Sequence, residues 1–222
     1  MAEPRCPTLT ARPLWSLTED VLLLNVGDGL VARTRWGDIH IDDGSAVVRE
    51  SLHRMTLGPV TLGNVAGLRE DYLRWRAGSQ ETSPAWRRVQ RVIEQLGGCV
   101  IASLELGDGA GPDISVVPVS AHAAFSIPPV TETSLVTLVP GCRLESLGGL
   151  HTLSAPSALH QVELRPPAVN VVRRLAGGPH LLKDVAAAVR LNVRLTVDVV
   201  AYLAGAGMVT VAERSGPASP AL

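Results

Sequence analysis

The chain has 222 residues, 46% of them hydrophobic and 18% charged, so it can bury one or two hydrophobic cores and does not have the composition of a disordered tail. Twenty basic and 21 acidic residues give a net charge of −1, which supplies no overall attraction to nucleic acid or to an anionic membrane. No apolar run reaches the roughly 18 residues of a membrane helix, and no secretory signal is visible at the N-terminus.

The first half predicts three strands and a helix after a flexible N-terminus, residues 1–13. The strands are expected at Asp20–Val26, Leu30–Trp36 and Asp38–Asp42, where apolar runs flank Gly27-Asp28-Gly29 or polar and apolar residues alternate. Ser45 is expected to cap a helix that continues to about Met55. Gly58-Pro59 then ends the helix.

Two further helices and a hairpin are expected next. A short helix near Thr61–Gly67 is followed by an insertion, Leu68–Thr82, which we expect to contain a short extra helix. Ser83-Pro84 predicts the start of the third helix, with a capping serine and a proline in the first turn. A second hairpin, the wing, is expected from Cys99–Leu106 and Ile114–Val119, joined by a glycine-rich loop.

The second half predicts the same order after a linker, residues 121–134, that contains Pro128-Pro129. The candidate strands are Leu135–Val139, Leu150–Leu153, Leu159–Leu164 and Met208–Val211. The candidate helices are Pro167–Leu175, Leu181–Val189 and Thr196–Ala204. Residues 213–222 are expected to be a flexible C-terminus.

A cryptic repeat supports two modules. Gly58-Pro59-x-x-Leu62-x-x-Val65 recurs as Gly178-Pro179-x-x-Leu182-x-x-Val185, and a Val-Val-Arg precedes each copy. The spacing between these two features is longer by four residues in the first copy, about one helical turn. We therefore predict an α+β protein with two tandem winged-helix-like modules, residues 14–120 and 135–212, each with strands and three helices.

The sequence offers no motif for catalysis, metal binding or nucleotide binding. Three cysteines without a C-x-x-C pair favour neither a disulfide framework nor a zinc site, and reduced thiols fit a cytoplasmic protein. The six histidines form no pair with metal spacing. The Gly107-Asp108-Gly109 loop has no lysine behind it, so a hairpin tip is preferred over a phosphate loop. We expect no catalytic residue, no metal and no cofactor.

Nucleic-acid binding is disfavoured by the predicted third helices. In the second copy this helix carries one charge, Asp198, which phosphates would repel. In the first copy it carries three arginines, which suit an acidic peptide as well as they suit DNA.

Four stretches resemble the N-terminal part of SagB-type azoline dehydrogenases from thiazole/oxazole-modified peptide biosynthesis. They are Pro13-Leu14-Trp15-Ser16-Leu17-Thr18-Glu19-Asp20-Val21, Gly29-Leu30, Arg35-Trp36-Gly37, and the run from Val48 to Val60. The second copy is also similar to RiPP recognition elements, the winged-helix domains that bind leader peptides of ribosomally synthesised peptides. The resemblance implies winged modules and, in the whole enzymes, a following FMN-binding domain. We expect no flavin domain in this chain, and Lys183 is not given the family's catalytic role.

The resemblance implies a non-catalytic scaffold that binds a precursor or leader peptide, or a peptide-modifying enzyme such as a flavin dehydrogenase or a cyclodehydratase. Homo- or hetero-oligomers are expected, without membrane contact. Two alternatives stay open: the N-terminal half of a split FMN-dependent azoline dehydrogenase, and a winged-helix transcription regulator.

A winged module can bind an extended peptide beside its third strand and third helix. In the first copy, the peptide-binding residues expected from this geometry are Asp38, Ile39, His40, Ile41, Arg88, Arg91 and Val92. In the second copy, the residues expected to contact a partner protein are Leu159, His160, Gln161, Val199, Val200 and Leu203. Coverage of both strand edges by the neighbouring module is the competing expectation.

Overall fold

The computed structural model describes residues 11–27, 29–76, 81–107 and 111–212, apart from the side chains of residues 75 and 76. Across these ranges the chain is a mixed α+β protein with six α-helices and three antiparallel sheets. None of the helices within these ranges is long and apolar enough to cross a membrane.

The first half contains six strands and three helices. In chain order they are β1 (Arg12–Leu17), β2 (Leu22–Val26), β3 (Gly29–Thr34), β4 (Gly37–Ile41), α1 (Ala46–Thr56), α2 (Arg69–Arg76), α3 (Pro84–Gln95), β5 (Val100–Glu105) and β6 (Ile114–Pro118). Short 3-10 turns at Leu62–Asn64 and Ala66–Leu68 precede α2, which lies in the predicted insertion.

The second half contains the remaining six strands and three helices. They are β7 (Leu135–Leu138), β8 (Arg143–Leu147), β9 (Leu150–Ser154), β10 (His160–Leu164), α4 (Ala168–Leu175), β11 (His180–Leu181), α5 (Leu182–Val189), α6 (Val193–Gly205) and β12 (Val209–Ala212).

The two halves share one order of elements: a strand, a three-stranded meander, a helix, a Gly-Pro turn, helical segments and a closing strand. The first half adds α2 and β6 to this order, and the second half adds the short strand β11. Gly58 and Gly178 both lie after the first helix of their half, with φ of 129° and 120°, values that favour glycine. The residue after each proline then pairs with the opening strand, Val60 with Trp15 of β1 and His180 with Val136 of β7. The shared Gly-Pro therefore turns the chain from a helix back to the same strand.

One six-stranded sheet joins the halves, in the order β1-β5-β6-β10-β9-β8. At the junction β6 pairs antiparallel with β10, so that Val116 lies opposite Val162 and Ile114 opposite Leu164. The other sheets contain three strands each, β2-β3-β4 in the first half and β11-β7-β12 in the second.

Two hydrophobic clusters form the core. One lies in the first half, where Val48, Leu52 and Met55 supply the predicted apolar stripe of α1. The other contains the second half's helices together with Leu104 and Val116 from β5 and β6. Because strands of the first half complete the second cluster, the two repeats share a core.

The structure differs from the sequence predictions at four places. Arg12 and Pro13 begin β1, and Ala11 is buried, so the predicted flexible N-terminus is too long; residues 1–10 lie outside the described ranges, as do 213–222. Strands β1, β8 and β11 were not predicted. Ser45 precedes α1 without a side-chain capping bond, whereas the Ser83 hydroxyl accepts the Trp86 N–H as expected.

The fourth difference concerns the segment between the repeats. It contains no helix or strand from residue 121 to 133, but it is not a free spacer. Ala123 is buried, and Phe125, Ile127 and Val130 pack against the second cluster.

Candidate functional site

Strand β4 has one unpaired edge among the described residues, because it is the last strand of the β2-β3-β4 sheet. The β3–β4 hairpin closes at Thr34–Gly37 around the two-residue loop Arg35-Trp36. In an antiparallel ladder, hydrogen-bonded and non-hydrogen-bonded pairs alternate from the closing pair. The backbone N–H and C=O groups of Asp38 and His40 therefore point away from β3, toward the open edge.

Helix α3 lies along this edge and runs antiparallel to β4. Near its start, Arg88 faces Asp43 at an N–O distance of 3.7 Å. At its end, the Gln95 side-chain amide donates to the His40 carbonyl at 2.6 Å. Beyond the helix, the Trp36 indole N–H donates to the Gly98 carbonyl at 3.1 Å. These three contacts place α3 beside the outward edge of β4, and we call the surface between the β4 edge and α3 the β4–α3 groove.

Arg88, Arg91 and Gln95 share one face of α3, since they are spaced three and four residues apart. All three are exposed. Hydrogen bonding from Ser45 is the main cause that holds the pKa of Asp43 below its ordinary value, and Arg88 and Arg91 add an electrostatic contribution. The helix face toward β4 is therefore cationic and carries one amide donor.

The structure brings together most of the predicted first-copy residues. Asp38, His40, Arg88 and Arg91 are exposed at the groove, and Ile39 is half-buried. The side chains of Ile41 and Val92 do not line the groove, because both lie in the first hydrophobic cluster. Period-two burial along β4 and the apolar stripe of α3 account for both positions.

Gln95, Asp43 and Trp36 also shape the groove and were not predicted. The spacing of Gln95 from Arg91 was visible in the sequence, because i and i+4 share a helix face. The contact of Trp36 with Gly98 joins residues 62 positions apart, and no local pattern signals it.

The second copy has no open groove at the equivalent place. Strand β6 occupies the edge of β10 over its full length, with His160 opposite Pro118. Val199, Val200 and Leu203 are completely buried in the shared core, so the structure does not present their side chains to a partner. The competing expectation, an edge covered by the neighbouring module, describes β10.

The other three predicted residues of the second copy differ among themselves. Leu159 is exposed and Gln161 is half-buried. His160 is buried against the Phe125 ring, and this burial lowers the pKa of its imidazole. The three residues form no groove with α6.

Helix α6 is held against the first half by two buried polar contacts. The Tyr202 hydroxyl donates to the Ser103 carbonyl at 3.2 Å, and the Ala11 N–H donates to an Asp198 carboxylate oxygen at 2.8 Å. Asp198 is buried, so this helix does not present its only acid to solvent. These contacts close the face of α6 that a second-copy groove would need.

Among the described residues, no three histidine, cysteine or carboxylate side chains are grouped so that they could hold a metal ion. Cys99 and Cys142 are free, and burial raises the pKa of each thiol. A raised pKa disfavours the thiolate that nucleophilic chemistry needs.

No family model matches the chain. A comparison with curated proteins also found no match.

Proposed function

We propose that the chain is a peptide-binding scaffold in the biosynthesis of azol(in)e-containing ribosomal peptides, and that it binds an extended acidic peptide as an added strand on the edge of β4. Each repeat acts as a winged-helix-like module, and the first one carries the binding groove. The observation that supports this most directly is the pairing of β6 with β10.

This pairing provides a precedent within the chain. β4 and β10 are each the third strand of a meander, and each precedes the first helix of its repeat. The β10 edge accepts an antiparallel strand, whereas the β4 edge has no strand partner among the described residues. Since the units share one order of elements, an extended segment fits the β4 edge by the same backbone hydrogen bonds.

The charges beside the edge favour an acidic peptide. Asp38 is already paired with Arg33 at 3.2 Å, and Asp43 lies beside Arg88. Arg91 is exposed and has no carboxylate within 4.0 Å among the described residues, while its guanidinium contacts the Arg87 carbonyl. An incoming carboxylate can therefore pair with Arg91, and with Arg88 at small cost to its long contact with Asp43.

The biosynthetic context comes from the resemblance to the N-terminal part of SagB-type dehydrogenases and to RiPP recognition elements. In that context the partner is a leader peptide, and a flavin dehydrogenase or a cyclodehydratase acts on the bound precursor. The scaffold supplies position and leaves the chemistry to the enzyme.

Fluorescence anisotropy with two labelled dodecapeptides tests the binding mode. One alternates valine and glutamate, and the other alternates valine and lysine. We expect saturable binding of the glutamate peptide only, with affinity that falls as salt rises. Methylating alternate backbone nitrogens of the glutamate peptide should abolish binding if the peptide adds as a strand. Equal binding of the methylated peptide would contradict strand addition.

The double variant Arg88→Glu/Arg91→Glu tests the groove itself. It should weaken binding by about tenfold or more, since charge-assisted hydrogen bonds contribute roughly 1.5–3 kcal/mol each. The matched control is Arg173→Glu/Arg174→Glu on α4, which makes the same charge change at two exposed arginines away from β4. Equal losses in both variants would show that only net charge matters. Leader peptides of azol(in)e precursors, titrated in the same assay, then test the biosynthetic assignment separately.

A further inference from the structure

Strand β2 carries an exposed apolar stripe on the opposite edge of the same sheet. Leu22, Leu24 and Val26 alternate along the strand and are 59%, 38% and 58% exposed. Alternate residues of a strand lie on one face, so the three side chains form one row. Within the described ranges, β3 is the only strand paired with β2.

Within the described residues, β2 itself carries none of the usual features that keep an edge strand monomeric, although the Arg49 guanidinium donates to the Asn25 side chain on the same strand. Proteins protect such edges with charges, prolines, bulges or covering segments. β2 has the sequence Leu-Leu-Leu-Asn-Val and contains no charged residue and no proline. Its pairing with β3 is continuous from Leu22 to Val26, without a bulge.

The register with β3 fixes which backbone groups of β2 face outward. The hairpin closes at Val26–Gly29, so the residues bonded to β3 are Val26, Leu24 and Leu22. The N–H and C=O groups of Leu23 and Asn25 consequently point to the open edge. A partner strand must offer its own outward groups to these two residues.

We infer that two copies of the chain pair through β2, antiparallel about a two-fold axis at Leu24. In this register Leu23 and Asn25 of one copy bond Asn25 and Leu23 of the other, which satisfies all four outward residues of the seam. The same register places Leu24 opposite Leu24 and Leu22 opposite Val26, so each exposed apolar side chain meets another. Hydrogen bonding and apolar contact thus select the same alignment. The β2-β3-β4 sheets of the two molecules then form one continuous intermolecular sheet of six strands.

The seam is small, which sets its strength. Five residues of one strand and three apolar side chains per copy bury less than the roughly 1,000 Å² of a stable interface. The dimer is therefore weak and transient, as interfaces below that size are. It forms at high protein concentration or where copies are held close together.

Cysteine cross-linking tests the register in a Cys6→Ser background, because Cys99 is buried and Cys142 is half-buried. Leu24→Cys should give a disulfide-linked dimer under mild oxidation, since directly opposed non-hydrogen-bonded residues have Cα atoms about 4.5 Å apart, within disulfide range. Leu22→Cys alone should not, because its two copies lie about 13 Å apart along the strands. A mixture of Leu22→Cys chains with Val26→Cys chains should cross-link. Cross-linking of Leu24→Cys no faster than of Leu147→Cys, an exposed leucine of edge strand β8, would overturn the inference.

Sedimentation equilibrium tests the association itself. The unmodified chain should dimerise with rising concentration, and Leu24→Lys should raise the dissociation constant at least tenfold. Leu147→Lys serves as the control and should leave it unchanged. A chain that stays monomeric up to several hundred micromolar, or a dimer that Leu24→Lys does not weaken, would overturn the proposal.

Discussion

Replacing Tyr202 with phenylalanine tests whether the two repeats unfold as one unit. Tyr202 lies on α6 in the second repeat, is completely buried, and donates its hydroxyl to the Ser103 carbonyl of β5 in the first repeat. Removing the hydroxyl leaves a buried carbonyl without that donor, and such a loss costs about 1–3 kcal/mol. The ring remains in place, so packing against Phe125 is kept.

The tryptophans make the readout specific, because all four lie in the first repeat: Trp15, Trp36, Trp75 and Trp86. Tryptophan fluorescence therefore reports the first repeat, while far-UV circular dichroism reports both. We expect coincident urea transitions by the two probes in the unmodified chain. In Tyr202→Phe the tryptophan transition should move to lower urea by roughly 0.5–1.5 M, at a slope of about 2 kcal/mol per molar.

Thr210→Val serves as the control, since its hydroxyl makes a long, exposed bond of 3.4 Å to the Thr137 carbonyl in the same repeat. It should change the midpoint little. A tryptophan transition that stays fixed in Tyr202→Phe while the dichroism curve becomes biphasic would refute the coupling, and the shared core would then contribute nothing to cooperativity.

Three other predictions follow from single residues. Burial, with a smaller contribution from Asp198, raises the pKa of Tyr202 above its ordinary value. The resulting contribution to stability is complete below about pH 10 and is lost as pH rises further. In urea titrations at pH 9 and pH 11, Tyr202→Phe should therefore lose less free energy of unfolding than the unmodified chain. Gly98→Ala would place a Cβ 2.7 Å from the Ser120 and Ala121 carbonyl oxygens and should lower the free energy of unfolding by about 1–3 kcal/mol. Gly107→Ala is the control, because a Cβ there meets open space. Equal melting temperatures of the two variants would contradict the close packing around Gly98. Gln95→Ala frees the His40 carbonyl and should tighten binding of the glutamate peptide about twofold to fivefold by anisotropy, and a weaker complex would show that Gln95 contacts the peptide.

Local patterns predicted the helices of both halves and the β2–β3–β4 meander. Each of these elements carries its signal within a few residues: the apolar stripe Val48, Leu52 and Met55 on α1, or the capping Ser83 before α3. β1 was missed because Pro13 lies inside it and suggested a frayed tail, although Pro13 is simply paired opposite Leu104. β8 was missed because the five residues of Arg143–Leu147 carry a weak alternation.

The sites could be predicted only as far as local spacing extends. Arg88 and Arg91 were assigned to the groove because helix periodicity separates them from the buried face. The closure of the second groove depends on β6 reaching β10, a pairing of residues such as Val116 and Val162 that lie far apart in sequence. The residue pattern of β10 does not distinguish a free strand edge from a paired one. The burial of Val199 and Leu203 could therefore be seen only in the tertiary structure.

The two open edges of the β2-β3-β4 sheet differ in a way that separates their functions. On the β4 side, Asp38 is ion-paired and the Gln95 amide donates to the outward His40 carbonyl. These contacts disfavour an apolar strand without acidic residues. They favour a partner whose carboxylates pair with Arg88 and Arg91. On the β2 side, Leu22, Leu24 and Val26 are exposed and match the same three residues of a second molecule of the chain. Since β3 separates the two edges, pairing through β2 leaves a β4–α3 groove free at each end of the intermolecular sheet that the two molecules form. Leu24→Lys should therefore weaken dimerisation at least tenfold without changing the affinity for a single peptide, and a tethered pair of glutamate peptides should gain avidity only with chains that dimerise.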